Sequence, residues 1–162
     1  MSDASMNQPL AAPPSNAGSA LVASLNALLA DCFALYIKTK NFHWHVKGPQ
    51  FHDLHLLFDQ QATEIFALTD LIAERVRKNG AATLTSIGAI AASARIADQN
   101  SASLTADAMV AELRDDNVRL VADLREAKAA ASAAGDNATD GIIDDWTDQA
   151  EQRVWFLTSI LG

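Results

Sequence analysis

The stretch HLLFDQQATEIFALTDLIAE, residues 55–74, decides the fold because it carries a continuous core stripe. On a helical wheel of about 100° per residue, its apolar side chains fall within about 40° of Leu54. They are Phe58, Ile65, Leu68 and Ile72, and Val76 continues the stripe. A stripe of this width predicts an amphipathic helix that packs into the core of a helical bundle.

A second stripe on the same helix consists of residue types that bind metals. It lies roughly 100 to 200° from Leu54 and contains His55, Asp59, Asp70 and Glu74. On an arbitrary helix, charged side chains opposite the core simply face water. Here Ala62, Phe66 and Ala73 share that side at about 80 to 120°, so we expect a second packing partner. We therefore interpret the stripe as two half-sites for a metal.

The spacing of these four residues requires two chains. His55–Asp59 and Asp70–Glu74 are both i,i+4 pairs, and each pair can converge on one ion. The two pairs lie about 16 Å apart along the helix axis, which is too far for one ion to bridge. If a second copy of the helix lies antiparallel across a two-fold axis, the first pair of one chain meets the second pair of the other. Each dimer then holds two such sites.

Another imidazole is expected to join from the preceding helix. His43 lies about five residues before the turn at Gly48-Pro49 and His55 about six after it, so the two stand at similar height in an antiparallel hairpin. His45 points roughly 200° away from His43. Only one of them can face the site, and the spacing favours His43. His52 lies on the outer side of its helix, either as an additional ligand or as an exposed histidine.

Composition and charge exclude several classes of protein. The chain has 162 residues, 49% of them hydrophobic, which is enough for one domain with a core. The single cysteine, Cys32, allows no intramolecular disulfide and favours the reducing cytoplasm. No apolar run approaches the roughly 20 residues of a membrane span, and the N-terminus lacks the basic region of a signal peptide. The net charge of −8 suits cations and disfavours nucleic acid as a partner.

The chain is predicted to be all-α, because strand-type alternation is absent and helix formers dominate. Three early prolines mark a flexible N-terminal tail over residues 1–17. Breaks at Gly48-Pro49, Asn79-Gly80 and Gly135-Asp136 divide residues 18–162 into four helices. They run over about 18–47, over about 51–78, from after the capping stretch SLTAD to about 133, and over about 138–160. The long crossover contains SIGAIAASA, predicted as a short extra helix. Two hairpins joined by one long crossover are typical of a ferritin-like four-helix bundle.

These residues resemble the Dps family of small ferritins. The matching runs are KNFHWHVKGP, FHDLHLLFD and TDLIAERV, and the segments GDNATDGIIDDW and RVWFLTSIL resemble the last helix of the family. Family members place a histidine before a tryptophan, then a histidine and a carboxylate four apart, then Asp and Glu four apart near AER. The matching positions here are His43 before Trp44, His55, Asp59, Asp70 and Glu74. The resemblance covers most of residues 20–162.

The resemblance implies a hollow homo-dodecamer, built from two-fold dimers, that oxidises Fe(II) with hydrogen peroxide or O₂ and stores the ferric mineral, which protects against oxidative stress. It implies a di-iron ferroxidase site with His43, His55 and Asp59 from one chain and Asp70 and Glu74 from the other. Imidazoles and carboxylates suit iron, and Zn²⁺ or Mn²⁺ would fit the same ligands. Trp44 is expected beside the site, as a packing indole or as a trap for one-electron oxidation.

Five acidic residues crowd the start of the last helix, namely Asp136, Asp140, Asp144, Asp145 and Asp148. One interpretation is that acids in the first turns of a helix are favoured by the helix dipole. The other, suggested by the resemblance, is an acidic iron-entry pore at a three-fold axis, for which Asp136, Asp140 and Asp144 recur every four residues. Gly141 stands where the resemblance would place one pore aspartate.

The sequence argues against tight DNA binding. DNA-binding members of the Dps family generally carry a lysine-rich tail, whereas the first basic residue here is Lys38. Because nonspecific DNA affinity comes from neutralising phosphates with Lys and Arg, we expect weak or no binding at physiological salt. A DNA-protecting nucleoid protein with a secondary metal site is the alternative function. A plain structural bundle is the third, but it leaves the spacing of five ligand-type residues unexplained.

Overall fold

The computed structural model describes residues 16–162 as five α-helices. They are α1 (Asn16–His45), α2 (Phe51–Lys78), α3 (Ile87–Ser93), α4 (Ala106–Ala133) and α5 (Asn137–Leu161). The four long helices form two hairpins, α1 with α2 and α4 with α5, and the hairpins meet chiefly through α1 and α4. The short helix α3 lies in the crossover and packs on α1. No strand occurs within residues 16–162, so the all-α prediction is confirmed.

The predicted helix boundaries agree closely with the structure. Helix α2 begins and ends where predicted, and the extra helix in SIGAIAASA is present as α3. Helix α1 begins at Asn16 rather than at 18 and ends at His45 rather than at 47. Residues 1–15 of the predicted tail lie outside the described part of the chain, whereas residues 16 and 17 belong to α1. Shifts of one or two residues are normal where helix ends fray.

Local side-chain chemistry explains where the helices begin and end. The side chain of Thr105 caps α4 by accepting from the backbone N–H of Ala108, and Asp136 caps α5 by accepting from that of Thr139. The chain leaves α1 through Gly48, whose φ is 112°. This conformation is unfavourable for any residue with a Cβ, so the helix stops there and the hairpin can turn.

The core stripe of α2 lies where the sequence predicts it. All six members are buried, and none is more than 2% exposed: Leu54, Phe58, Ile65, Leu68, Ile72 and Val76. They pack against buried residues of the other long helices, including Phe42 of α1 and Trp146 of α5. The opposite side of α2, which carries the second stripe, is therefore free to face another partner.

Helix α1 is more apolar than the sequence analysis expected. By length and composition alone, Asn16–His45 could cross a membrane, so the prediction that no apolar run approaches such a span was wrong for this helix. Its leucines Leu21, Leu25, Leu28 and Leu35 are nevertheless fully buried inside the bundle. A helix that contacts neighbours on several sides needs apolar residues around most of its circumference, which accounts for the composition of α1.

Candidate metal centre

The imidazoles of His43 and His55 lie face to face across the α1–α2 hairpin. Their ring centroids are 3.9 Å apart and the planes differ by 18°. The Nδ1 atom of His43 lies 2.7 Å from the carbonyl oxygen of His55, and Nδ1 of His55 lies 2.8 Å from that of His43. Because a carbonyl oxygen can only accept, each Nδ1 carries a proton, and in the neutral ring the lone pair then lies on Nε2. Each ring is thus held in the tautomer that ligates a metal through Nε2.

Asp59 lies one turn beyond His55 and faces the same place. Its Oδ1 atom is 3.8 Å from Nε2 of His43, and it accepts a hydrogen bond of 2.7 Å from the Lys40 ammonium. That hydrogen bond is the main reason why the pKa of Asp59 lies below its usual value, so the carboxyl group is ionised at neutral pH. Lys40 was not predicted as part of this group, although it precedes His43 by three residues and therefore shares its helix face.

The other two predicted ligands stand apart from this group. Asp70 and Glu74 are exposed near the other end of α2, and Glu74 accepts from Lys78, one turn on, at 3.3 Å. Within residues 16–162, no three His, Cys, Asp or Glu side chains close around a common point where they could hold a metal ion. One chain therefore brings His43 and His55 beside Asp59, but it does not bring all five residues together.

Near the turn, Phe51 also stacks on His55 with ring centroids 5.2 Å apart, whereas His45, His52 and Trp44 make other contacts. The Nδ1 atom of His45 bonds back to Asn41, at 2.7 Å from its side-chain oxygen. The side chain of His52 is 79% exposed and its Nδ1 lies 3.6 Å from Asp53. Trp44 is 60% exposed, and the Lys40 ammonium lies 5.8 Å from its ring centroid. Of the two histidines in FHWH, it is His43 that meets His55, whereas Trp44 is linked to the site only through Lys40.

Asp136 is held in a structural role at the start of α5. Besides capping the helix at Thr139, its carboxylate accepts from Arg75 Nη2 and Asn79 Nδ2, each at 2.9 Å, and so joins α5 to α2. Burial alone would raise the pKa of Asp136, but the hydrogen bonds from Thr139, Asn79 and Arg75 outweigh it and lower the pKa. The helix-start interpretation of this residue therefore has direct contacts behind it.

The two other aspartates of the predicted pore share one lysine. The Lys128 ammonium contacts Asp140 and lies 2.9 Å from Oδ1 of Asp144. These hydrogen bonds raise the pKa of Lys128. The side chain of Asp144 is 66% exposed, against 27% for Asp140. Asp144 is therefore the member of the trio that most freely meets cations in solution.

The chain is similar to known proteins along most of its length. Residues 22–162 match the ferritin family model, described as a ferritin-like domain. A DNA protection during starvation protein of Brevibacillus brevis is 35% identical over 137 residues, which is 85% of this chain and 91% of that protein. The chain belongs to the Dps family. The resemblance carried by its histidine and carboxylate runs is thereby confirmed.

Solved structures of Dps proteins share the fold. The crystal structure of a Dps protein from Bacillus brevis covers 93% of this Dps chain and 100% of its own, with a TM-score of 0.89 at 32% identity. A Dps protein from Vibrio cholerae O1, described as a member of a broad superfamily of ferritin-like diiron-carboxylate proteins, covers 94% and 99% with a TM-score of 0.87 at 25% identity. The four-helix bundle with a helix in its crossover is therefore ferritin-like, as predicted.

Proposed function

We propose that this Dps chain oxidises Fe(II), with hydrogen peroxide or O₂, at sites shared between two-fold-related copies and stores the ferric product inside a hollow dodecamer in the cytoplasm. The observation that carries the proposal is the reciprocal His43–His55 arrangement beside Asp59. Membership of a family of ferritin-like proteins supports iron storage and protection against oxidative stress as the general role.

The position of the two half-sites supports a second copy as the missing partner. The midpoint between the His55–Asp59 and Asp70–Glu74 pairs falls between Glu64 and Ile65 of α2. A two-fold axis near this point would place each pair against the opposite pair of the neighbour. Thr63 and Phe66 lie equally near this point on the ligand side of α2, and Phe66 is 50% exposed. A half-exposed aromatic residue beside the axis suits a helix that packs against its own copy.

The surface around Phe66 is apolar enough to dock another chain. Phe66 contacts Tyr36 with ring centroids 4.9 Å apart, and the two border a groove of about 650 Å³ between α1, α2 and α3. Ile37 and Ile87, which are 57% and 85% exposed, line the same groove. Large exposed apolar residues gathered in one place are typical of a protein interface. We define this surface as the α3 groove.

The donor set fits iron as the substrate. Imidazole nitrogens and carboxylates bind Fe(II), and carboxylates also stabilise Fe(III). Two Fe(II) ions each give one electron to hydrogen peroxide; its O–O bond breaks, and two protons complete two water molecules. His43 and His55 offer Nε2, and Asp59 exchanges its bond to Lys40 for the metal. Asp70 and Glu74 of the neighbour supply the opposing carboxylates. Zn²⁺ or Mn²⁺ would compete for the same donors.

Other titratable groups stand outside this chemistry. Cys32 is 1% exposed, and burial raises its pKa to about 12, so it stays a neutral thiol. Iron entry is proposed at the start of α5, where Asp144 is exposed and Asp140 lies beside it. Asp136, the third residue of the predicted pore, is committed to Arg75 and Asn79 and is not part of the proposed entry path.

DNA binding is proposed to be weak, and the charge arrangement supports this. Within residues 16–162, every Lys and Arg side chain except Lys47 and Arg77 lies in an ion pair with a carboxylate. A cation already paired gains little by neutralising a phosphate. We expect no retardation of plasmid DNA at neutral pH and physiological salt without divalent ions. Tight binding under those conditions would favour the DNA-protection alternative.

The experiment that tests the proposal is anaerobic addition of Fe(II) followed by hydrogen peroxide, with ferric absorbance and trapped hydroxyl radical as readouts. Wild type should oxidise iron rapidly without radical, whereas Asp59→Ala and Glu74→Ala should be slower by roughly tenfold or more. Glu126→Ala, an exposed acid on α4 away from both half-sites, is the matched control and should behave as wild type. Equal slow oxidation in all four proteins would show that the stripe has no ferroxidase role.

A further inference from the structure

A carboxylate buried in the middle of α1 holds the crossover segment against the bundle. Asp31 is 0% exposed. Its Oδ1 atom accepts from the backbone N–H groups of Arg95 at 2.6 Å and Ile96 at 3.2 Å. Its Oδ2 atom accepts from Nε of Arg95 at 2.9 Å and from Nη2 at 2.7 Å. Four donors thus satisfy a charge that would be very unfavourable if buried alone. We call this set of contacts the Asp31–Arg95 clamp.

The clamp also reaches the second hairpin. Nη2 of Arg95 lies 3.3 Å from Oδ2 of Asp123 on α4, which is only 4% exposed. Asp123 accepts in addition from Nε of Arg119, one turn earlier on α4, at 3.2 Å. A single arginine of the crossover is therefore joined to both α1 and α4, and its backbone has little freedom to move.

Helix α3 has almost no anchor of its own. None of its seven residues is buried. Before it, Asn26 of α1 donates to the carbonyl of Ala82 at 3.3 Å and accepts from the Thr83 hydroxyl at 2.9 Å. After it, the first residues held by the bundle are Arg95 and Ile96. Leu84 before α3 and Ile96 after it also pack in the core. Because elements with few buried contacts open easily, the position of α3 depends on how these flanking segments are held, and the clamp is the attachment that uses charged groups.

The position of α3 determines the shape of the α3 groove. Ile87, Ile90, Ala91 and Ala94 form one wall of the groove, opposite Phe66. None of these four side chains is buried in the single chain, and Ile87 is 85% exposed. Their apolar character is explained if they pack against a second copy. A buried ionic clamp that fixes a poorly buried apolar helix therefore serves the interface rather than the bundle.

We propose that the Asp31–Arg95 clamp is a positioning device for the shared iron site. It holds α3 so that the α3 groove fits a second copy of the chain, and this docking brings Asp70 and Glu74 of one copy to the histidines of the other. The inference rests on the proposed two-fold dimer. Neither Asp31 nor Arg95 touches iron; both act through α3 and are positioning residues.

Three variants test the clamp at equal helical content by circular dichroism. Asp31→Ala removes all four contacts at a position where Ala suits the helix. Arg95→Met keeps the two backbone contacts with Asp31 and removes the two guanidinium contacts with Asp31 and the one with Asp123. Arg119→Met, which breaks the neighbouring pair with Asp123, is the matched control. We expect Asp31→Ala to dissociate at micromolar concentration and to oxidise iron at least about tenfold more slowly per chain. Arg95→Met should fall between it and Arg119→Met, which should match wild type.

The dependence on protein concentration separates positioning from a general structural role. If the clamp sets the strength of the dimer contact, concentrating Asp31→Ala should restore both assembly and rate per chain by mass action. Wild-type assembly and rate in Asp31→Ala would overturn the inference, as would a lost rate that concentration does not restore. If Asp31→Ala loses helical signal, Arg95→Met decides on the same criteria. Assembly is measured without iron, so an inactive wild type would contradict the proposed function while the assembly result still judges the clamp.

Discussion

The two ends of the predicted ligand stripe on α2 differ in how much of the proposed metal site each contains. At the end near the turn, His55 and Asp59 meet His43 and Lys40 of α1, and the imidazoles are fixed by mutual hydrogen bonds. At the other end, Asp70 and Glu74 are exposed, and within residues 16–162 the one ion pair made by either of them joins Glu74 to Lys78 on the same helix. One end is preorganised within the chain, whereas the other is presented to a partner.

This difference explains why one chain does not close around a metal ion. Fixed ligand orientation favours binding because little ordering remains to be done when the metal arrives. The histidine end has that orientation but too few donors. The carboxylate end has the missing donors but no neighbour that orients them. Docking of a second copy through the α3 groove would supply both, which is why the interface and the chemistry are expected to fail together.

The largest effect on iron oxidation is expected from breaking the proposed contact between two copies of α2 at its centre. Phe66→Glu would place a charge in the apolar surface near the proposed two-fold axis, where its desolvation is unfavourable. We expect loss of the dimer contact and a fall in iron oxidation of about a hundredfold per chain, measured by sedimentation and ferric absorbance. Val118→Glu, at a similarly exposed apolar residue on α4, should keep the dimer contact. Normal oxidation by Phe66→Glu would show that the two ends do not need each other.

A smaller effect is expected when iron supply is impaired and both ends are left intact. The double change Asp140→Asn and Asp144→Asn removes two negative charges that attract cations at the start of α5. Initial oxidation at limiting Fe(II) should slow by about two- to fivefold, while the final amount of ferric product stays the same. Asp145→Asn, which removes an exposed acid paired with Gln149, is the matched control. An unchanged initial rate in the double variant would remove the pore assignment.

Replacing Lys40 tests whether its ammonium competes with the metal for Asp59 at the histidine end. Lys40→Met removes the ammonium that occupies Asp59 in the metal-free chain. Ion pairs that water can reach contribute about 0–1 kcal/mol. The Fe(II) concentration that gives half-saturation in a binding titration should therefore fall by up to about fivefold. Lys47→Met, at an exposed lysine near the turn, should leave it unchanged. Weaker iron binding by Lys40→Met would mean that Lys40 supports the site instead of competing with the metal.

The smallest effect on oxidation, but a clear one on stability, is expected at Asp136. Asp136→Ala removes a helix cap and the carboxylate that pairs with Arg75, which should cost about 1–3 kcal/mol of unfolding free energy in urea titrations. Because the pKa of Asp136 is lowered in the folded chain, its contribution is present above the unfolded value of about 3.9 and is lost as pH falls through the folded pKa.

The pH dependence of stability tests whether the ionised carboxylate of Asp136 is what stabilises the fold. The stability difference between wild type and Asp136→Ala should be constant near neutral pH and should shrink progressively below about pH 4. Asp107→Ala, at an exposed first-turn acid of α4 that is not the capping residue, should show a much smaller difference. The oxidation rate per folded chain should be unchanged in both. A slower rate in Asp136→Ala at full folding would instead support a direct role in iron entry.

Periodicity alone predicted most of the bundle. The core stripe of α2 and both of its ends follow from local pattern, because burial repeats at the period of the helix and Gly-Pro or Asn-Gly pairs stop it. The proximity of His43 to His55 follows equally from their distances to one short turn. Such features depend on residues close together in the chain, so the sequence contains the information needed.

Features that depend on distant residues escaped prediction. Asp31 and Arg95 are 64 positions apart, and no local pattern joins them. Arginine is a residue type that usually lies at the surface. Arg153 is nevertheless only 1% exposed, and its Nε donates to Asn117 on α4 at 2.8 Å. The contact between Asp136 and Arg75, which are 61 positions apart, was not predicted for the same reason. In each case the packing of the helices against one another determines the partner. A helical wheel of a single helix carries no information about that packing.

The most direct test of a shared site is to mix two inactive chains. His55→Ala and Glu74→Ala are dissociated, combined and reassociated, and iron oxidation by peroxide is measured. Each parent dimer lacks a ligand at both sites, whereas a mixed dimer has one intact site and one doubly defective site. With random pairing, the mixture should recover about a quarter of the wild-type rate. A mixture as inactive as either parent would contradict a site built from two chains.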